Sequence, residues 1–362
     1  MTDRNDMPAQ LSVVVCSLGQ QDVGAAVESI VRSADDARTL VDVVVVWQGD
    51  RPPPVLQTAR VLDVFPVGLS YARNRGARAS SSPFVGFVDD DEVVDRGWVK
   101  AVLASFEEVP AAAGAFGPVA PLEDLARMHS RYEGDERRVF TARRTGPWFV
   151  GTGGNMAFRR DSLLAAGGFD LRFGAGAAAY AAEDWDIIVR LLRAGRALVW
   201  SPEMVVYHPA KAAPAELRSR YPYGFGVGHL VRRHRAGSLG LRYAKAMAEM
   251  LAKAGKARDR RRLREGAATL GGFLAGALSR ARAISPAAAL ARAPAELRAG
   301  TWRAEPMLLA EDPELRYRDA DGRLLRVRVN PGPELERQLE DRAEVEAVIS
   351  SRDALWVVTR PV

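Results

Sequence analysis

The chain has 362 residues, 48% of them hydrophobic and 27% charged, with 51 Lys+Arg against 45 Asp+Glu, a formal net charge of +6 and one Cys. That length suits one large domain with an appendage, or two modest domains, and the apolar fraction excludes global disorder. A single Cys excludes a disulfide scaffold and a Cys-based structural zinc site, so any metal must be held by oxygen or imidazole.

The charge is segregated. Residues 211–300 carry 19 Lys+Arg against 5 Asp+Glu, and the remainder carries 32 against 40. This describes an acidic first part, a basic helical middle and a mixed tail. The early apolar run, residues 11–18, is short and follows a polar stretch with two acids, unlike a secretory signal. The weakly polar stretch 266–278 is shorter than the ~20 residues that a spanning helix needs. The expectation is a cytoplasmic protein without a transmembrane helix.

In chain order, Leu11–Ser17 (LSVVVCS) and Val41–Trp47 (VDVVVVW) are β-branched runs with almost no alternation, the pattern of strands buried on both faces of a parallel sheet. Between them Val23, Val27, Ile30 and Val31 recur at helical spacing, which gives a β-α-β unit. A third run, residues 61–67, leads into a helix over Leu69–Ala79. A fourth strand, residues 84–88 (FVGFV), runs into Asp89-Asp90-Asp91-Glu92. A helix over Trp98–Glu108 follows, then a looser Gly/Pro-rich and charged region, residues 114–147. Beyond it come a Gly-rich strand-turn at 150–158, a helix at 161–166 and the loop Gly167-Gly168-Phe169-Asp170. Glu183-Asp184-Trp185-Asp186 opens a further helix, and a strand-like segment at 197–206 ends at Tyr207-His208. Ala-, Lys- and Arg-rich helix is predicted from about residue 241, and a small mixed segment from about residue 302 has strands near 324–329 and 355–359. Alternating strands and helices imply an α/β sandwich, in which ligands bind at the carboxyl ends of the strands, where the acid cluster falls.

Three features carry chemistry. Successive carboxylates at Asp89, Asp90 and Asp91 repel one another unless solvent or a cation absorbs the charge. They read either as a solvated turn or as a site where alternate carboxylates, Asp89 and Asp91, hold a hard divalent ion bound to a diphosphate. The group Glu183-Asp184-x-Asp186 complements a helix dipole, or provides in Asp184 a general base. His208 is either an ordinary histidine beside a strand or a metal ligand next to two carboxylates.

The order of these motifs resembles that of the inverting family 2 glycosyltransferases of the GT-A fold. The matching residues are Ala72-Arg73-Asn74-x-Gly76, Phe87-Val88-Asp89-Asp90-Asp91, Gly153-Gly154-Asn155-Met156-Ala157-Phe158-Arg159-Arg160, Gly167-Gly168-Phe169-Asp170, Glu183-Asp184-Trp185-Asp186 with Arg190, Leu191 and Gly195, and Val206-Tyr207-His208. They cover residues 11–234. The resemblance implies a Rossmann-like α/β/α sandwich with a mainly parallel sheet over residues 10–235; charge and strand patterning place a basic helical extension (236–300) and a small α+β tail (301–362) after it.

It further implies transfer of a sugar from a nucleotide-diphosphate donor to an acceptor hydroxyl, with inversion. Asp184 would be the base, and Mn2+ or Mg2+ would sit on Asp89, Asp91 and His208. Ser17, Gln48, Asp50, Arg73, Asn74, Asp89, Asp90, Gly153, Gly154 and Asn155 would meet the donor, and Glu183 and Trp185 the acceptor, with Trp185 equally able to serve the core. The stretch Tyr221-Pro222-Tyr223-Gly224-x-Gly226-x-Gly228, with Arg218, Arg220, Arg232 and Arg233, resembles the family's mobile loop over the diphosphate. Two departures stand out. Cys16-Ser17 replaces the usual pair after strand one, and Trp47-Gln48-Gly49-Asp50 replaces the turn whose Asp reads the base, so the donor nucleotide stays open.

The basic region 241–282, with Leu241, Met247, Met250 and Leu251 on one side, reads as a solvated packing helix or as a peripheral contact with an anionic membrane. Its arginines are not interleaved with stacking aromatics, which argues against nucleic acid. The expected acceptor is a carbohydrate or lipid-linked molecule of the cell envelope. The competing reading is an inactive relative that binds sugar nucleotides or acts as a scaffold. A nucleotidyltransferase would need a Gly-rich basic phosphate loop after strand one, and Leu18-Gly19-Gln20-Gln21 is not one.

Overall fold

A computed structural model describes residues 9–49, 52–64, 68–122, 136–177, 179–209 and 213–279, together with the backbone of five strands beyond residue 302. The elements run β1 (Leu11–Ser17), α1 (Gly24–Asp36), β2 (Val41–Trp47), β3 (Arg60–Asp63), α2 (Leu69–Ala79), β4 (Phe84–Asp89), β5 (Val93–Val94), α3 (Trp98–Glu108), β6 (Ala112–Phe116), β7 (Val119–Pro121) and β8 (Arg138–Phe140). A 3-10 turn at Pro147–Phe149 precedes β9 (Asn155–Arg159), α4 (Arg160–Ala165), α5 (Glu183–Arg193), β10 (Ala197–Trp200), β11 (Val206–His208), α6 (Ala213–Arg233), α7 (Gly237–Lys256) and α8 (Arg260–Leu278).

Eight strands form the central sheet in the order β3-β2-β1-β4-β9-β6-β10-β8. β3, β2, β1 and β4 are mutually parallel, as the unbroken β-branched runs require, and Val13, Val14, Val15, Val44, Val45 and Val46 are fully or almost fully buried. β9 enters antiparallel between β4 and β6, with Val88 opposite Asn155. This insertion carries the Gly-rich turn before β9 to the carboxyl end of β4, beside Asp89. A second sheet, β5-β11-β7, pairs Tyr207 with Val93 and so sets His208 against the acid turn.

Three expectations differ from what is observed. Where a loose region was expected over 114–147, the described residues include β7, β8 and the end of β6; β6 (AAGAF) is built mainly of small residues that carry no β-branched signal, with Phe116 5.7 Å from Phe158. The segment 197–208 is two strands in different sheets. Tyr221 to Gly228 is part of helix α6, where a mobile loop was expected. Its glycines serve a close helix crossing: a Cβ on Gly224 would come within 2.0 Å of the Thr269 carbonyl oxygen, and one on Gly228 within 2.1 Å of that of Phe273. Gly272 and Gly276 of α8 meet the Tyr221 and Phe225 carbonyls in the same way, at 2.1 and 2.0 Å.

α7 turns its apolar side inward. Tyr243 and Met247 are buried with Trp148, Phe173, Leu230 and Phe273 in a cluster that also takes in Trp185. Among the described residues no helix is long and apolar enough to cross a membrane. The remaining strands form a separate unit: β12 (Arg303–Glu305), β13 (Glu314–Arg318) and β14 (Leu324–Arg328) make an antiparallel three-stranded sheet, and β15 (Val345–Val348) pairs antiparallel with β16 (Trp356–Thr359).

Candidate active site

The parallel strands β1, β2 and β4 end level with one another, because Ser17 is in register with Trp47 and Cys16 with Asp89. The residues singled out from the sequence therefore emerge along one edge. Ser17 Oγ donates a hydrogen bond of 2.6 Å to Asp90 Oδ2 and accepts one of 3.0 Å from Gly19 N–H. Burial raises the Asp90 carboxyl above its ordinary range, and the Ser17 bond works against that shift. Gln48 is buried, with Oε1 accepting from Gly68 N–H at 3.3 Å. Asp50 lies outside the described residues.

Arg73 is the electrostatic centre. Its side chain is 2% exposed and donates to Asp89 Oδ1 at 3.0 Å, to Glu183 Oε1 at 2.8 Å and to the Gly153 carbonyl at 3.1 Å. One guanidinium thus ties the acid turn after β4, the Gly-rich turn before β9 and the first turn of α5 into a single unit. A buried guanidinium is tolerable only with such partners; burial works against its charge, and the Asp89 and Glu183 carboxylates more than offset it.

Asp184 follows Glu183 on α5. Its Oδ1 accepts the Trp185 N–H at 2.8 Å, and the Gly153 N–H also donates to the carboxylate. Burial, reinforced by the charge of Glu183, pushes its pKa up to about 7, while the backbone donors and Arg73 pull the other way. A carboxylate near neutrality is a far better proton acceptor than an ordinary one.

Asp91 Oδ2 lies 3.4 Å from His208 Nε2. The other ring nitrogen, Nδ1, is against the Pro209 carbonyl oxygen, which orients the Nε2 lone pair toward Asp91. Neighbouring ligands of an octahedral ion with bonds of about 2.1 Å stand about 3 Å apart, so the pair is spaced for a shared cation. Asp89, 39% exposed, gives one oxygen to Arg73. No group of three or more His, Cys, Asp or Glu side chains converges closely enough to hold a metal among the described residues. A bound ion would have to complete its shell with substrate oxygens and water.

Asn74 and Asn155 have their side chains turned inward. Asn74 exchanges two hydrogen bonds with the Phe169 backbone, at 2.8 and 2.7 Å, fixing the Gly-Gly-Phe-Asp loop. Asn155 is fully buried, accepts from Trp98 Nε1 at 2.9 Å and donates to the Pro118 carbonyl at 2.8 Å and to that of Met204. Trp185 is half-buried, with its ring 5.9 Å from that of Trp148 and 6.3 Å from that of Tyr243.

Two residues gave no sign of a role in the sequence. Glu92, 2% exposed, accepts the Asp89 N–H at 2.9 Å and abuts Gly154, where a Cβ would meet its Oε1 at 2.2 Å. Its pKa stands well above the ordinary range through burial and the neighbouring Asp89 charge. His234, at the end of α6, holds the fully buried Asp186 at 2.7 Å, with Arg190 on the other carboxylate oxygen at 2.7 Å. Their signal is present only in three dimensions.

Fold and site define an α/β protein with a mixed, mainly parallel central sheet, whose acidic strand end is tied through Arg73 to a carboxylate-bearing helix. The family described as Glycosyl transferase family 2 matches residues 12–165, somewhat less than half of the chain. A glucosyl-dolichyl phosphate glucuronosyltransferase of Haloferax volcanii is 26% identical over 123 residues, 30% of this chain and 36% of that protein. A pre-mycofactocin glycosyltransferase of Mycobacterium tuberculosis is 27% identical over 174 residues, 46% of this chain and 36% of that protein. The chain thus spans little more than a third of the length of these relatives. The mannosyltransferase PcManGT of Pyrobaculum calidifontis, solved in complex with GDP-Man and Mn2+, gives a TM-score of 0.49 at 14% identity, covering 76% of this chain and 89% of that one.

Proposed function

We propose that the chain transfers a sugar from a nucleotide-diphosphate donor to an acceptor hydroxyl with inversion at the anomeric carbon. The observation that carries the reading is the Arg73 bridge, which holds the metal-type acid turn and the base-bearing helix in one fixed relation. Asp184 accepts the proton of the acceptor hydroxyl as its oxygen attacks the anomeric carbon. The bond from that carbon to the diphosphate oxygen breaks on the opposite face, and the nucleoside diphosphate leaves.

Asp91 and His208 would hold a Mn2+ or Mg2+ ion, with Asp89 beside them. When bound, the ion supplies Lewis-acid neutralisation of the departing diphosphate. Arg73, Asn74 and Asn155 act by fixing backbone around the donor. Ser17 sets the orientation of Asp90, and Gln48 flanks the end of β2. The half-buried face of Trp185 is the acceptor-side surface, with Glu183 anchoring the turn beneath it.

The acceptor reading is a carbohydrate or a lipid-linked envelope molecule, reached at an anionic membrane surface through the basic helices. The glucuronosyltransferase relative, named for a dolichyl phosphate acceptor, supports that acceptor class. The intact Asp184 and Asp91–His208 geometry favours an enzyme over an inactive sugar-nucleotide binder.

Calorimetry with a panel of nucleotide sugars in Mn2+ or in EDTA, alongside a transfer assay, tests the reading. Donor binding should need the metal and be lost in Asp91→Ala, whereas Asp184→Asn should keep donor affinity and lose transfer by about 10²-fold or more. Metal-independent binding that survives Asp91→Ala would overturn the metal assignment. Full turnover by Asp184→Asn would overturn the base.

A further inference from the structure

Away from the strand-end site, a cavity of about 420 Å³ opens where the segment after β8, the last turn of α5 and the α6–α7 connection meet. Arg143, Arg144, Arg193, Arg235 and Arg242 line it together with Ser238. Its lining includes no residue of the acid turn after β4, of the Gly-rich turn before β9 or of the first turn of α5, so this is not the acid-turn site.

Five guanidiniums around one cavity repel one another, and no described acid pairs with any of them. Two have structural roles: Arg193 Nη1 donates to the His234 carbonyl at 2.9 Å, and Arg242 Nη2 donates to the Arg144 carbonyl. Arg143, Arg144 and Arg235 make no side-chain hydrogen bond or ion pair among the described residues.

The start of α7 adds a second, independent observation. Its N-cap residue, Ala236, offers no side-chain acceptor, its first turn has no acid, and the Gly237 and Ser238 N–H groups find no carbonyl among the described residues. A 20-residue helix therefore begins on the cavity with bare donors and the positive end of its dipole. Arg235, immediately before it, is held at φ 48, a conformation that non-Gly residues seldom adopt.

We propose that this cavity is a binding site for a phosphate-bearing anion, either a free phosphorylated small molecule or the headgroup of an anionic lipid. Arginine forks match phosphate oxygens in pairs, and uncapped helix N–H groups take the oxygens that remain. The proposal does not depend on the glycosyl-transfer reading, since none of these residues belongs to that machinery.

The test is calorimetric titration of the full chain with inorganic pyrophosphate in EDTA, plus co-sedimentation with phosphatidylcholine vesicles with or without phosphatidic acid. Binding should weaken at least tenfold in the exposed double variant Arg144→Gln/Arg242→Gln and persist in Asp91→Ala. A second pair, Arg143→Gln/Arg235→Asn, guards against misfolding of the first, because Asn tolerates the positive φ of Arg235.

Pyrophosphate binding without vesicle binding would identify a free phosphorylated molecule. Arginine-dependent capture of phosphatidic acid vesicles alone would identify a lipid headgroup. Binding in neither arm, unchanged affinity in both double variants, or loss of pyrophosphate binding in Asp91→Ala would overturn the proposal.

Discussion

Asp184 is the residue whose protonation controls the proposed chemistry. Burial, then the charge of Glu183, lifts its pKa from 3.8 to about 7, and the protonated form cannot accept the acceptor's proton. The sign follows directly: kcat/KM for transfer should be full above about pH 8 and fall about tenfold for each unit below 7. A profile of kcat/KM from pH 5.5 to 8.5, with donor and metal saturating at every point, checks it; a flat acid limb would remove Asp184 as the base. Arg73 shows why the site could not be read from the sequence as it stands in space. Its position in Ala72-Arg73-Asn74 suggested contact with the donor, yet its guanidinium lies inside, holding Asp89, Glu183 and Gly153 together. Spacing along the chain carries no information on which side chain will meet a residue 110 positions away.

Among the elements, β1, β2, β4, α2 and α3 were legible because each signals by itself: β-branched runs for buried strands, helical spacing of apolar residues for helices. β9 was legible as a strand but not as the antiparallel member between β4 and β6, because strand order is a tertiary fact. The stretch 221–228, likened to a mobile loop by its resemblance to the family, lies within α6, where the four-residue spacing of Gly224 and Gly228 lets two helices cross with backbone against backbone. Gly228→Val should therefore overpack the α6–α8 crossing and lower stability by about 1 to 3 kcal/mol. Gly271→Ala, also on α8 but with nothing within 4 Å of the added carbon, should raise it by about 0.5 to 1 kcal/mol. Urea unfolding of the two variants separates these effects, and an equal response from both would show that the crossing is not tightly packed.

At the scale of the whole molecule, the net +6 is an average over a central sheet that concentrates carboxylates at one edge and a helical segment that concentrates cations. The apolar side of α7 is legible in the sequence either as a packing face or as a lipid face, and Tyr243 and Met247 are buried with Trp148 and Phe273, as a packing face requires. What the helices leave outward is charge, including exposed Lys253, Lys256, Arg260 and Arg264, with Leu241, Leu274 and Leu278 as isolated apolar points. Attraction to a bilayer would then be chiefly electrostatic, at about 1 kcal/mol for each basic side chain near an anionic surface. Replacing Lys253, Lys256, Arg260 and Arg264 together by Gln should remove about 4 kcal/mol, on the order of a thousandfold in partition to phosphatidylserine-rich vesicles. The same binding should collapse as salt rises from 50 to 500 mM, because the Debye length shrinks to a few ångströms. Binding that resists salt, or that matches binding to neutral phosphatidylcholine, would mean that the helices meet lipid through apolar insertion or not at all, and the charge segregation would then serve only solubility.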